Sequence, residues 1–291
     1  MLGLDREVQA GGVHYAVRVR EGAPGWAELA ELVERRGAEG VRLAGTLGAL
    51  CGPALSLRAG APAVVWGQLE QLASGQVAGG VVELIRCVLA VCPAHLDRVA
   101  AALTPTGRYG HRALLAFIAI CVDARAALTA YDPLELGPAR ALGYGREIGQ
   151  ALHRAGGLPP AAAAGLGLLV AGRLGGLGPA DELAHRELLL RAGLPVTVPG
   201  RTDLDAVAAA VPPALLLLDR LGHPRCVDGR LLTPVDPAAV RAALSSCRRP
   251  AGVPHSRPAV TRAPDRTASP AARDNGRDTV EASGPNKERP R

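Results

Sequence analysis

The chain has 291 residues, of which 48% are hydrophobic and 21% charged, so it is long and apolar enough to bury a core. Only 2% are aromatic, and that core must therefore be built mainly from Ala, Leu and Val. Nearly all of the net charge of +6 comes from residues 248–291, which carry ten basic and five acidic side chains. The rest of the chain is close to neutral, which disfavours a body that binds nucleic acid through a basic face.

The six cysteines form no C-x-x-C pair, and no histidine spacing completes a zinc site with them. The N-terminal segment MLGLDREVQAGG lacks the basic-then-apolar pattern of a signal peptide. The longest apolar stretches are shorter than the roughly 20 residues that a membrane span needs. These features predict a cytoplasmic protein with reduced thiols and no membrane partner.

The first 66 residues predict a small α/β unit. Apolar residues alternate from Val13 to Val19, which is typical of a half-buried strand. An amphipathic helix is expected over Trp26–Arg36, followed by short strands at Val41–Ala44 and Ala63–Trp66. This is too little chain for a complete doubly wound sheet.

Residues 67–247 predict a mainly helical domain, because apolar residues recur there at spacings of three and four. The expected helices cover 79–92, 94–103, 111–130, 139–155, 161–177, 180–193 and a last segment near Pro237–Leu244. A short apolar run, Leu215–Leu218, precedes the last helix. Residues 248–291 are rich in Pro, Arg, Ser and Thr, which predicts a disordered basic tail.

Few residues suggest chemistry by their spacing alone. Glu83 and Arg86 lie three residues apart on a predicted helix, and a surface ion pair accounts for that spacing as well as a site does. The glycine-rich stretch GAEGVRLAGTLGALCG does not match G-x-G-x-x-G, the motif of dinucleotide-binding loops. No Lys-Ser/Thr pair follows it to complete a phosphate-binding loop. The chain also lacks G-x-S-x-G, the motif that places the nucleophilic serine of α/β-hydrolases. Residue spacing alone therefore identifies no catalytic site.

Several segments share an ordered pattern with one enzyme family. The segments occur in this order along the chain: GAPAVVWGQLEQLASGQVAGGVVELIR, IAICVDARAALTAYDPLELGPARALGYGREIGQAL, GLPPAAAAGLGLLVAGRLGGLG, RAGLPVTVPGRTDLDAV and LDRLGHPRCVDG. Over about residues 60–245 they resemble 3-dehydroquinate synthase and its sugar phosphate cyclase relatives. The resemblance implies an α/β cofactor domain, here shortened, and a helical domain of the dehydroquinate synthase type. HYAVRVREG is similar to the family's first strand.

The resemblance also implies site residues. In the family one Glu and two His hold a divalent metal, and NAD oxidises and later re-reduces the substrate while phosphate leaves and a carbocycle closes. Glu83 stands at the metal-ligand Glu, and Arg86 and Arg125 stand where the family has catalytic lysines. Asp132, Glu135 and Gly137 match their family counterparts in the segment that follows.

Other family positions depart from the pattern. Arg146 replaces one metal-binding His, Gln150 replaces the His that closes the same motif, and Pro160 replaces the other metal ligand. The family's glycine-rich cofactor turn and its D-K-K stretch have no counterpart. From these losses the expectation is that neither NAD nor zinc or cobalt is bound in the family manner, and that Arg146 forms an ion pair with Glu83.

The sequence therefore predicts a degenerate, N-terminally shortened family member that acts as a non-catalytic partner or regulatory relative in biosynthesis. Its partner would be another protein or a second copy of the chain. One alternative is an active lyase on a seven-carbon sugar phosphate, with a site rebuilt from Glu83 and His153 or His95. Another is a binding module in which the basic tail contacts nucleic acid or an acidic protein.

Overall fold

The computed structural model describes residues 2–74 and 77–248. The described residues form one compact unit. Its strands are β1 (Gly3–Ala10), β2 (Val13–Arg20), β3 (Val41–Leu43), β4 (Val64–Gln68), β5 (Ala214–Leu216), β6 (Leu218–Arg220), β7 (His223–Pro224) and β8 (Leu232–Pro234). Its helices are α1 (Ala23–Arg36), α2 (Leu47–Leu50), α3 (Leu69–Ser74), α4 (Val77–Ala90), α5 (Leu96–Ala102), α6 (His111–Thr129), α7 (Arg146–Arg154), α8 (Pro160–Gly175), α9 (Pro179–Arg191), α10 (Leu204–Ala210) and α11 (Pro237–Ser246).

The N-terminal sheet has the strand order β1-β2-β4-β3. β2 and β3 are both parallel to β4, and the predicted strands at β2, β3 and β4 are confirmed within a residue or two. β1 was not predicted from the sequence. It pairs antiparallel with β2 through a two-residue turn at Gly11–Gly12, where Gly11 takes a left-handed conformation that suits such hairpins.

The helical body is organised around α4, which packs against α2, α6 and α8. Nearly every residue of α4 is buried, since Val, Leu and Ile occupy all of its faces. The predicted helices are confirmed except over 139–155. There the chain forms a short 3₁₀ turn, Pro138–Gly143, before α7 begins. Gly145 separates the two with a left-handed backbone (φ 69°), a conformation that interrupts a right-handed helix.

α7 and α8 approach so closely that no side chain fits at Gly145, Gly149 or Gly167, where their backbones meet. A Cβ on Gly167 of α8 would lie 2.6 Å from the backbone nitrogen of Gly149 in α7. A Cβ on Gly145 would lie 2.9 Å from the carbonyl carbon of Gly167. The backbones are therefore in direct contact, and this contact fixes the start of α7, where Arg146 is located.

The predicted boundary after residue 66 falls inside β4, and the division at that point stays a prediction. The predicted tail, apart from Arg248, lies outside the described residues. Within residues 2–74 and 77–248, no single helix is long and apolar enough to span a membrane. Val77–Ala90 and Pro93–Ala102 pass that test only as a pair bent by 120°. A cytoplasmic location stays a prediction.

Candidate functional site

A pocket of about 530 Å³ lies among α4, α6, α7, α8 and the segments that follow α2 and α6. It brings together the three residues that the sequence singled out, Glu83, Arg86 and Arg125. Its charged wall consists of Arg58, Glu83, Arg86, Arg125, Glu135 and Arg146, and Gln150 and His153 complete its polar lining. Four guanidinium groups therefore face two carboxylates.

Glu83 and Arg86 lie one turn apart on α4 and form an ion pair between Arg86 Nη1 and Glu83 Oε1. The Arg86 side chain is almost fully buried, and its Nε also donates a hydrogen bond to the Tyr144 carbonyl at 2.8 Å. Burial alone would lower the pKa of Arg86, but the Glu83 carboxylate outweighs burial and holds that pKa above its usual value. Arg86 therefore stays a cation at the base of the pocket, and the Glu83 carboxylate is neutralised by it.

Arg125 of α6 forms the second ion pair, with Glu135 in the loop between α6 and the 3₁₀ turn. Both side chains are buried, with exposed fractions of 4% and 6%. Glu135 has a positive φ of 54°, a costly conformation for a residue with a Cβ. Arg58 holds the loop from outside by donating to the carbonyl oxygens of Leu134 at 3.0 Å and Glu135 at 2.6 Å.

Asp132 shapes the same loop from within. Its carboxylate accepts backbone N–H bonds from Leu136, Gly137 and Ala139 at 2.7–3.0 Å. Burial would raise the pKa of the Asp132 carboxyl, but these three donors outweigh it and hold the pKa below its usual value. The family matches at Asp132, Glu135 and Gly137 therefore belong to one structural unit that presents Glu135 to the pocket.

Arg146, the first residue of α7, has no carboxylate within 4.0 Å among the described residues. Its guanidinium donates to the Leu142 carbonyl at 3.1 Å. The predicted ion pair between Glu83 and Arg146 is wrong. Arg86 lies one turn from Glu83 on the same helix and forms the ion pair with the Glu83 carboxylate instead. Burial and the nearby charge of Arg86 lower the pKa of Arg146. This arginine is the cation in the pocket whose charge is least compensated.

The donor set does not fit a divalent metal. In the two described stretches of chain, no group of three His, Cys, Asp or Glu side chains is placed to hold a metal ion. His153 lines the pocket and its Nδ1 bonds the Leu158 carbonyl at 2.7 Å, but no second histidine of the described residues joins it in the lining. His95 lies in the 3₁₀ turn Pro93–His95 and does not line the pocket. A site rebuilt from Glu83 with either histidine is therefore short of ligands and faces four cations.

The glycine-rich stretch that ends at Gly52 serves packing. A Cβ on Gly48 would lie 3.3 Å from the carbonyl carbon of Gly79 in α4. A Cβ on Gly52 would lie 3.1 Å from the Gly48 carbonyl oxygen and 3.4 Å from the Glu83 carboxylate. These two glycines let α2 pack closely against α4.

No family model matches the chain. The 2-deoxy-scyllo-inosose synthase of Micromonospora echinospora is 32% identical over 202 residues, which is 62% of this chain and 51% of that enzyme. The chain spans about half the length of the curated relatives it matches.

Solved structures of related enzymes share the fold, and two of them are described by their bound groups. A 2-deoxy-scyllo-inosose synthase complexed with carbaglucose-6-phosphate, NAD⁺ and Co²⁺ matches with a TM-score of 0.70 and 16% identity, over 84% of this chain and 100% of that one. A 2-epi-5-epi-valiolone synthase from Streptomyces hygroscopicus with NAD⁺ and Zn²⁺ matches with a TM-score of 0.60 and 15% identity, over 79% of this chain and 72% of that one.

The solved structures overturn one expectation. The sequence predicted no cofactor, whereas these two structures of the same fold hold NAD⁺ together with Co²⁺ or Zn²⁺. The expectation of no cofactor is therefore wrong. That expectation rested on the replaced metal-ligand positions and on the missing glycine-rich turn and D-K-K stretch of this chain.

Proposed function

Because this chain belongs to the sugar phosphate cyclase family, whose fold is that of 3-dehydroquinate synthase, we propose that it binds a sugar phosphate in the arginine-lined pocket. We propose further that it does not form the carbocycle there and acts as a non-catalytic partner or regulatory relative of an active cyclase. The ligand class follows from the carbaglucose-6-phosphate held by a structural relative and from the charge of this pocket.

The observation that carries the proposal is the unbalanced charge of the pocket. Both glutamates are already paired, Glu83 with Arg86 and Glu135 with Arg125, which leaves Arg146 without a carboxylate. A guanidinium presents several N–H donors in a plane and binds phosphate oxygens in pairs. A phosphate group next to Arg146 would offset the excess charge, and Gln150 could bond to sugar hydroxyls.

The same side chains support a non-catalytic role. Guanidinium groups stay protonated at physiological pH, so Arg86 and Arg125 cannot accept a proton as general bases. The carboxylates of Glu83 and Glu135 are both held in ion pairs, with Arg86 and Arg125. The pocket is therefore better suited to hold an anion than to move its protons.

The test is calorimetric titration of glucose 6-phosphate into wild-type chain and two arginine variants. Arg146→Met is expected to weaken binding by about 10–100-fold, because a hydrogen bond to a charged group contributes roughly 1.5–3 kcal/mol. Arg154→Met, on the same helix but outside the pocket, is the matched control, and its affinity should stay within about twofold because exposed charges are screened. Equal losses of affinity for glucose 6-phosphate in the two variants, or no binding by the wild-type chain, would contradict the proposal.

A further inference from the structure

Another cavity, of about 610 Å³, lies between the loop that follows α6 and the strand pair β5–β8. It shares no lining residue with the arginine pocket. Most of its lining is apolar, and three charged side chains, Arg140, Asp228 and Arg230, complete it. A lining of this kind around a volume of this size is typical of sites for small molecules.

Exposed apolar side chains meet at this cavity. Leu136, Val227 and Leu232 line it, and all three are exposed, Leu136 to 62%. Leu136 belongs to the loop after α6, whereas Val227 and Leu232 lie about 90 positions further along the chain. The fold therefore groups these side chains in one place, and grouped exposed apolar residues indicate a binding surface, whereas scattered ones do not.

Arg140 is the half-buried charge in the lining. Among the described residues its guanidinium has no hydrogen-bond acceptor and no carboxylate within 4.0 Å. Asp132 interacts with Arg140 only through its charge, because the Asp132 oxygens accept backbone N–H bonds from the loop. The Nε of Arg140 is buried, but its two terminal nitrogens are accessible and have no partner in the described part of the chain.

The other two charges lie on a tight turn at the rim. Val227 and Arg230 exchange backbone hydrogen bonds of 3.0 and 2.9 Å, and both residues between them, Asp228 and Gly229, have a positive φ. This is the geometry of a type I′ turn. Neither Asp228 nor Arg230 forms an ion pair within residues 2–74 and 77–248. Two arginines and one aspartate leave the cavity with a net charge of +1.

These features limit the ligand to one chemical class. The parallel N–H groups of a guanidinium match the two oxygens of a carboxylate, and a single carboxylate balances the net charge of the cavity. An aliphatic or aromatic body on the same molecule would cover the exposed apolar side chains and remove them from water. A cation would meet two unpaired arginines, and a fully polar anion would leave the leucines exposed.

We propose that this cavity binds a monocarboxylate with an apolar body, its carboxylate at Arg140 and its body on Leu136 and Leu232. The site is distinct from the arginine pocket and does not rest on the function proposed for that pocket.

Calorimetric titration of 3-phenylpropionate into the wild-type chain tests the proposal and should show saturable binding. Arg140→Met should weaken binding by about tenfold or more, because a hydrogen bond between charged groups is lost. Arg220→Met, which removes an exposed arginine of β6 outside both cavities, is the matched control and should keep the affinity within about twofold. Arg146→Met, in the arginine pocket, should keep it as well.

Leu136→Glu provides a second variant at an exposed position, where loss of folding is not expected. It adds a carboxylate to the lining and cancels the net positive charge, so binding of 3-phenylpropionate should weaken by about tenfold or more. A thermal melt shows whether each variant is folded.

Two analogues separate the contributions of charge and body. 3-Phenylpropan-1-ol lacks the carboxylate and propionate lacks the ring, and each should bind about tenfold more weakly or worse than 3-phenylpropionate. Four results would overturn the proposal: no saturable binding of 3-phenylpropionate by the wild-type chain; equal binding of the alcohol, which would mean apolar contact alone; undiminished affinity in a folded Arg140→Met chain; or loss of affinity in Arg146→Met, which would place the carboxylate in the arginine pocket.

Discussion

Replacing Arg86 with methionine is expected to lower the free energy of unfolding by about 3–5 kcal/mol, the usual cost of breaking a buried ion pair from one side. The variant leaves the Glu83 carboxylate without its counter-ion and the Tyr144 carbonyl without its donor. Urea denaturation of the wild-type and variant chains measures the difference.

The matched control is Arg35→Met, which removes an arginine from the ion pair with Glu31, whose two side chains are 66% and 70% exposed. Its effect should stay within about 0.5 kcal/mol, as is typical of exposed pairs. Adding Glu83→Gln to Arg86→Met should recover part of the lost stability, because no uncompensated charge then remains. Equal losses for Arg86→Met and Arg35→Met would show that the Glu83–Arg86 pair does not stabilise the pocket.

The second large effect is expected from Gly167→Ala. A Cβ at this position would lie 2.6 Å from the Gly149 nitrogen and 2.9 Å from its Cα, and backbone atoms cannot rotate away as a side chain can. The two helices α7 and α8 would have to separate, at a cost of about 3 kcal/mol, the upper end of the usual range for overpacking. Thermal unfolding followed by circular dichroism measures the loss.

Gly79→Ala in α4 is the control for this substitution. A Cβ at Gly79 meets no atom within 4 Å, so the change should stabilise the chain by about 0.5–1 kcal/mol through the helix preference of alanine. A Gly167→Ala chain as stable as the wild type would contradict the close backbone contact between α7 and α8. It would also show that this contact does not fix the position of Arg146.

Much of the fold could be predicted because its periodicities are clear. The alternation in β2 and the Ala/Leu spacing of α6 and α8 identify the elements that build the core. β1 escaped prediction because only Leu4, Val8 and Ala10 of its eight residues are buried, and its polar residues obscure the alternation. Its Gly-Gly turn was the signal that could have revealed it.

The site was predicted in part. The resemblance placed Glu83, Arg86, Arg125 and Glu135, and the structure brings all four to one pocket. Whether Arg86 and Arg125 have catalytic roles, and whether Glu83 is ever a metal ligand, stay predictions. Arg58 was missed because it binds the Glu135 loop from 77 positions earlier in the chain, and no local pattern reports such a contact.

The ion pair expected between Glu83 and Arg146 failed for a geometric reason. An alignment shows which residue replaces a ligand, but it does not show which cation reaches the carboxylate. The helix backbone holds a partner three residues away within ion-pair distance of Glu83. The distance from Glu83 to Arg146 depends instead on how α7 packs against the rest of the protein. Local geometry therefore decided the pairing.

An assay of phosphate release decides whether the arginine-lined pocket holds a sugar phosphate without converting it. Glucose 6-phosphate and a seven-carbon sugar phosphate would each be incubated with the chain, NAD⁺ and either Co²⁺ or Zn²⁺, under conditions in which calorimetry shows binding. We expect release no faster than with heat-inactivated protein. Release above that control, abolished by Glu83→Ala in a chain that still folds, would contradict a non-catalytic role and establish an active cyclase with a rebuilt site.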